Sequence, residues 1–300
     1  MITSADSADG ASGQSTRSPQ MLGSIATLLE SARQTFAMLC YHRILWRAPI
    51  GLLIMGLLAF WLASRADGRT NGYDLYCVLC WWGLGTVLVP WITLFLGVQA
   101  VHGELEDRTS QYLFLRPVHR IPLLLGKWLA ISLVTSVLSC CAAAVLFAAV
   151  GAHDELWPDG REPSLLLSFC IVLSFGAVAY AAVAVFLGAT FRRPLAWAAF
   201  FVVGLQMLAA NLKVSAGMRQ LTITDPLRRM VLDLIEPGRE LARSLWPAER
   251  SEALLAEFAT GAFDLNFGSP LVSLLILTVV CLVLGAYRYS RTEYESRSRD

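Results

Sequence analysis

Charged residues are scarce in this 300-residue sequence, making up 16% of it against about 25% in an ordinary soluble domain. Hydrophobic residues make up 56%. This balance excludes an ordinary water-soluble domain and favours a chain embedded in lipid. Six apolar runs lack Asp, Glu, Lys, Arg and His and are long enough to cross about 30 Å of hydrocarbon: 48–64, 75–98, 129–150, 165–190, 195–212 and 269–287.

These runs predict an all-α polytopic membrane protein with six transmembrane helices. They lack the alternation of a lipid-facing β-barrel strand and are about twice its length. Most short-loop cations precede helix 1, lie between helices 2 and 3 or 4 and 5, or follow helix 6, whereas the other two short loops hold only Arg65, Arg69 and Arg161. The positive-inside rule therefore predicts an inner-membrane protein with both termini in the cytoplasm.

The chain outside these runs divides into four parts. Residues 1–20 are polar, without an apolar core, and predict a disordered cytoplasmic tail. Residues 21–47 predict an interfacial amphipathic helix. Residues 48–287 form the six-helix domain, and 288–300 a second cytoplasmic tail. The interfacial helix would use one apolar face: Leu22, Ile25, Leu29, Ala32, Phe36 and Leu39.

A long external loop, 213–268, separates the fifth and sixth runs and contains short amphipathic patterns. Asp225 and Pro226 predict an N-cap and first turn. Short helices here could rest on the outer leaflet, cap a translocation path, or belong to a plain structured loop. The apolar face of the first helix would consist of Leu227, Met230, Val231 and Leu234.

Groups for catalysis or metal binding are lacking. The spanning runs hold Ser and Cys but no His, Asp or Glu to activate them, so no catalytic residue, metal site or directly bound cofactor is expected. Cys77 and Cys80 are close enough to test for metal or redox use, but packing is the simpler interpretation. His153 lies in a loop with Asp154 and Glu155, which we interpret as solvated residues. No basic stripe indicates nucleic-acid binding.

Charge is instead concentrated in one segment, 103–128, between the second and third runs. If 104–115 forms a short helix, its early acids and late bases complement the helix dipole. Pro117 would end that helix, and Lys127 would extend toward the headgroups. The charges concerned are Glu104, Glu106 and Asp107, followed by Arg116, His119 and Arg120.

This segment resembles permease subunits of ABC-2 type transporters. Those subunits have approximately E-x-E-x-G-T-x-x-x-L-L-x-x-P-V-S-R between helices 2 and 3, then an apolar run and Gly-Lys. Arg108 and His119 depart from the pattern, replacing the usual Gly and Ser. The matching positions are Glu104, Glu106, Thr109, Leu113, Pro117, Val118, Arg120, Gly126 and Lys127.

The resemblance implies that the segment is a cytoplasmic coupling helix, which seats in a separate ABC ATPase subunit. It further implies an exporter in which two permease copies pair, as a homodimer or heterodimer, within membrane lipid. The chain has no G-x-x-x-x-G-K-[ST] phosphate loop, so it would not be an enzyme, and ATP would act through the partner. The residues implied to couple are Glu104, Glu106, Thr109, Arg116, Pro117 and Arg120.

Three other functions remain open at this stage. An intramembrane enzyme lacks ionisable residues in the spanning runs. A secondary transporter driven by an ion gradient would need a midplane ionisable residue, broken helices or an internal repeat, none of which is evident. A non-transporting membrane scaffold is the alternative that the sequence excludes least.

Overall fold

The computed structural model describes nine stretches of the chain: 18–41, 43–65, 71–106, 120–157, 163–191, 193–202, 204, 222–235 and 268–291. Within them the ordered elements are helices, and no strand occurs. The α-helices are α1 (Ser18–Tyr41), α2 (Arg43–Arg65), α3 (in three segments, Gly72–Val78, Leu79–Leu88 and Val89–Glu106), α4 (Arg120–Gly151), α5 (Pro163–Thr190), α6 (Pro194–Phe200), α7 (Thr224–Ile235) and α8 (Gly268–Arg291).

Four of these helices are long and apolar enough to cross a membrane, which confirms four of the six predicted spans. They are Gly72–Val101, Ile121–Gly151, Pro163–Thr190 and Pro270–Ser290. The apolar part of α2, Ile50–Arg65, is shorter. The fifth predicted span begins with α6, and most of its remainder lies outside the described residues.

Helix α5 lies at the centre of the bundle, where it packs against α3, α4, α6, α7 and α8. Its small residues permit this, because small side chains allow membrane helices to approach closely. A Cβ added to Gly188 would lie 2.9 Å from Cβ of Val101, on α3. In the most apolar stretch of α5, 67% of the residues are buried inside the bundle, whereas in that of α8 the share is 22%.

The outward surfaces of α2 and α8 are apolar, as expected of helices that face lipid. Large exposed apolar patches on a protein mark membrane or partner contacts. On α2 the exposed residues include Ile50, Leu53, Leu57 and Trp61, and on α8 they include Val272, Ile276, Val279 and Val283.

Helix α3 is irregular near its N-terminal end. Residues Leu79–Leu88 are π-helical, and the Val89 N–H bonds to the Leu84 carbonyl, five residues earlier. The Thr86 hydroxyl donates to the Trp81 carbonyl at 3.1 Å, also across five residues. Such stretches are rare and are frequent at functional sites.

Helix α7, within the predicted external loop, lies against the bundle. Leu227 packs on Gly176, where an added Cβ would lie 3.0 Å from Leu227 Cδ1. Gly176 is midway along α5, about 20 Å from either end at 1.5 Å per residue. Helix α7 therefore lies beside the middle of the membrane-spanning helix α5 and does not rest on the outer leaflet.

The start of α7 also differs from the expected one. Asp225 was predicted as the N-cap, but the helix already begins at Thr224. The Asp225 N–H donates to the Thr222 hydroxyl at 3.4 Å, so Thr222 caps the backbone. The Asp225 carboxylate instead accepts a hydrogen bond from Arg229 at 3.2 Å, one turn further on.

Candidate coupling site

Helices α3 and α4 are antiparallel neighbours joined at both ends. One end of the pair contains the C-terminal part of α3 and the first turns of α4, and we call it the α3–α4 end. Here Lys127 Nζ donates to the Ala100 carbonyl at 3.2 Å. Toward the opposite end, the Tyr76 hydroxyl donates to the Ala143 carbonyl at 3.4 Å. These two bonds set the register of the pair.

That register places three of the predicted coupling residues at one end of the bundle. From the level of Lys127 and Ala100, α3 continues six residues to Glu106, about 9 Å, and α4 extends seven residues back to Arg120, about 10 Å. Glu104, Glu106 and Arg120 therefore belong to two adjacent helix ends. Thr109, Arg116 and Pro117 lie outside the described residues.

The expected short helix over 104–115 is wrong at its N-terminal end. Glu104 and Glu106 continue α3, which the structure describes as far as Glu106. Arg120 is the first described residue of α4.

The expectation that Lys127 extends to the headgroups is also wrong. Only 2% of this residue is exposed, and its ammonium binds a backbone carbonyl of α3. Burial of an ammonium is costly unless hydrogen bonds satisfy it. Ala100 lies close to the C-terminal end of α3, where the helix dipole favours a positive charge.

Helix α1 packs against the first turns of α4. The Ser31 hydroxyl donates to the Leu123 carbonyl at 2.9 Å. A Cβ built on Gly126 would lie 2.6 Å from the Leu28 carbonyl oxygen and 2.9 Å from the Ala32 nitrogen. The two backbones thus approach so closely that only glycine fits without a shift.

The predicted apolar face of α1 packs on the bundle only in part. Among the described side chains of α1 the buried ones are Leu39 of that face and the polar residues Ser31 and Thr35. Ile25 and Leu29 are instead 62% and 68% exposed. Small polar residues favour close helix contact, whereas exposed apolar residues suit a lipid boundary.

The other candidate sites do not form a metal centre. The part of the chain that the structure describes contains no group of three or more metal-ligating side chains. Cys77 and Cys80 are buried among apolar residues of α3. The His153 ring stacks on Phe60 with centroids 4.7 Å apart, and Glu155 is exposed.

Comparison with known proteins identifies the family of the chain. A family model described as ABC-2 family transporter protein matches residues 3–294 of the chain. The chain belongs to the ABC-2 transporter family. A search of curated proteins found no match. As an ABC-2 permease, the chain is a multi-pass membrane component of a transporter and is not itself catalytic.

Sequence reasoning missed two features of this ABC-2 permease. One is the close backbone contact between α1 and α4 at Gly126, which a glycine in the first turns of a predicted spanning helix could have suggested. The other is Arg228, which is buried on α7. At helical spacing Arg228 shares a face with Leu227 and Val231, so the sequence contained a signal for its burial.

Proposed function

We propose that this chain is the membrane-spanning subunit of an ATP-driven exporter, coupled to a separate cytoplasmic ATPase at the α3–α4 end. The main support is membership of the ABC-2 family over residues 3–294. In this proposal both termini and the α3–α4 end face the cytoplasm of a cell whose inner membrane holds the protein, as the positive-inside rule predicts. Two permease copies and two ATPase copies would form the working assembly.

The packing at the α3–α4 end would transmit a movement of residues 107–119 to the helices on either side. Residues 107–119 are attached at both sides to helices that Lys127 and Ala100 join. Helix α1 is seated on the same part of α4 through Gly126 and Ser31. Displacement of this segment by a closing ATPase would therefore move three packed helices together.

Reconstitution with an ATPase tests coupling directly. The permease would be co-purified with its candidate ABC ATPase partner and placed in lipid vesicles. We expect Glu104→Ala combined with Arg120→Ala to abolish most permease-stimulated ATP hydrolysis, because both residues lie at the proposed contact. Glu155→Gln serves as control, since Glu155 is exposed and lies just beyond the C-terminal end of α4. Equal loss in both variants, or no loss in either, contradicts the proposed contact.

Pro117 allows hydrolysis and transport to be separated. We expect Pro117→Leu to insert normally and retain ATP hydrolysis but to transport less substrate per ATP, because proline would shape the connection between α3 and α4. Transport that continues without ATP in the presence of an ion gradient would favour a secondary transporter. Absence of any partner-dependent hydrolysis would favour a scaffold.

The predicted topology has an independent test. An epitope placed within 107–119 should react with antibody only after cells are permeabilised. Reaction in intact cells would place this segment outside and overturn the proposed site of ATPase contact.

A further inference from the structure

Arg228 is a buried cation beside the middle of the bundle. Only 2% of it is exposed, and its neighbour Leu227 packs on Gly176, halfway along α5. The side chains of Thr224 and Tyr180 share a hydrogen bond that attaches the start of α7 to α5. An arginine stays charged in proteins, and a charge at membrane depth costs at least about 2.5 kcal/mol. Such residues usually mark a substrate or ion pathway.

The side chain of Arg228 on α7 packs against Trp81 on α3. The guanidinium carbon of Arg228 lies 5.5 Å from the Trp81 ring centroid, within cation–π range. Trp81 is 1% exposed, and its indole Nε1 has no hydrogen-bond partner among the residues that the structure describes. Buried polar groups are normally paired, so the unpaired indole N–H is a donor that a bound acceptor could satisfy.

The backbone that holds Trp81 is irregular. Trp81 lies in the π-helical stretch Leu79–Leu88, whose hydrogen bonds differ from those of the rest of α3. Trp81 belongs to the same buried apolar cluster as Ile223, Leu227 and Met230 of α7. An occupant would therefore need an acceptor for the Trp81 N–H, a negative charge to complement Arg228, and an apolar body.

We propose that Arg228 and Trp81 form a binding position for the anionic headgroup of an amphiphile, closed in this structure and open at another stage of transport. A phosphate or carboxylate would accept hydrogen bonds from the guanidinium and from Trp81 Nε1. A guanidinium has five N–H donors, so it can keep a bond within the fold and still bind an anion. This inference rests on the proposed transport function, because it names the substrate class that the permease would move.

Binding can be measured on the purified permease without any ATPase. The probes are short-chain phosphatidylglycerol, short-chain phosphatidylcholine of the same chain length, and inorganic phosphate, each scored by the shift in thermal unfolding temperature. We expect phosphatidylglycerol to stabilise the parent protein more than phosphatidylcholine does. Inorganic phosphate at equal concentration should give no shift, because it lacks the apolar part. If phosphate alone reproduces the shift, the ligand is a free anion and the amphiphile is overturned.

Trp81→Phe is the decisive variant. It keeps an aromatic ring against Arg228 and removes only the unpaired N–H, so the unfolding temperature without ligand should stay the same or rise. Apparent affinity for phosphatidylglycerol should fall by about tenfold or more, because a hydrogen bond to a charged group is worth about 1.5 kcal/mol or more. Unchanged affinity in Trp81→Phe contradicts the site, since a purely structural Trp81 would behave that way.

Arg228→Gln and Arg229→Gln provide a matched pair on the same helix. Arg229 pairs with Asp225 and its side chain is 41% exposed, so its loss should leave the preference for phosphatidylglycerol intact. Arg228→Gln should abolish that preference. Should this variant fail to fold, Arg228→Lys keeps the charge and should bind at least tenfold more weakly, because an ammonium lacks the bidentate geometry. Parent-like binding in either Arg228 variant, or equal loss in Arg229→Gln, overturns the site. Stimulation of an ATPase is measured in a different experiment, so failure of the binding site and failure of the proposed transport function can be told apart.

Discussion

Replacement of Gly126 by alanine tests how closely α1 is seated on α4. The added Cβ would lie 2.6 Å from the Leu28 carbonyl oxygen and 2.9 Å from the Ala32 nitrogen. Both are backbone atoms, so no side-chain rotation relieves the contact, and α1 must retreat by roughly 1 Å to reach an ordinary separation of about 3.5 Å. Overpacking of this kind costs about 1–3 kcal/mol, against about 1 kcal/mol that alanine gains over glycine in a helix.

Gly126→Ala should be about 1–3 kcal/mol less stable than a control that gains the same helix propensity without overpacking, and this is seen as a lower unfolding temperature in detergent. Gly51→Ala is the matched control, because nothing lies within 4 Å of a Cβ added to Gly51 on α2. That variant should be neutral or more stable than the parent. Identical unfolding temperatures for the two variants would refute the close seating of α1.

Three further changes probe buried contacts, each scored by thermal unfolding. Lys127→Met should unfold below the parent temperature, because it leaves buried polar partners of the ammonium unsatisfied, and an unchanged temperature would contradict this. Gly97→Ala should cost about 0–2 kcal/mol after the gain in helix propensity, since its Cβ would lie 2.5 Å from Cβ of Ala184, and Ala184→Gly in the same chain should relieve that contact. Trp157→Phe should cost about 0.5–1.5 kcal/mol, because the buried indole N–H donates to a carbonyl at 3.4 Å, and no change would exclude that contribution.

Composition was sufficient to predict the spanning helices because a membrane excludes charge over a fixed length. The runs that became α3, α4, α5 and α8 were all located in this way. Which side of each helix packs inward was harder to predict. On α1, Leu29 is exposed whereas Ser31 and Thr35 are buried, since lipid removes the difference between core and surface on which amphipathic patterns depend.

The coupling role of the candidate residues stays a prediction, and only part of their position could be predicted from the sequence. Glu104, Glu106 and Arg120 do lie at one end of the bundle, but no local signal showed that α3 continues through Gly103 to Glu106. A single glycine weakens a helix by only about 1 kcal/mol, which packing readily exceeds. Burial of Lys127 depends on how α3 packs against α4, information that spacing along the sequence does not contain.

Helix α3 contacts both buried cations of the described residues, Lys127 and Arg228. Its regular segment, Val89–Glu106, presents the Ala100 carbonyl to Lys127, and its π-helical segment presents the Trp81 ring to Arg228. Between those contacts the helix spans nineteen residues, about 28 Å at 1.5 Å per residue. Helix α3 therefore joins the proposed ATPase contact to the proposed anion position, and the π-helical segment that holds Trp81 is the irregular part of that connection.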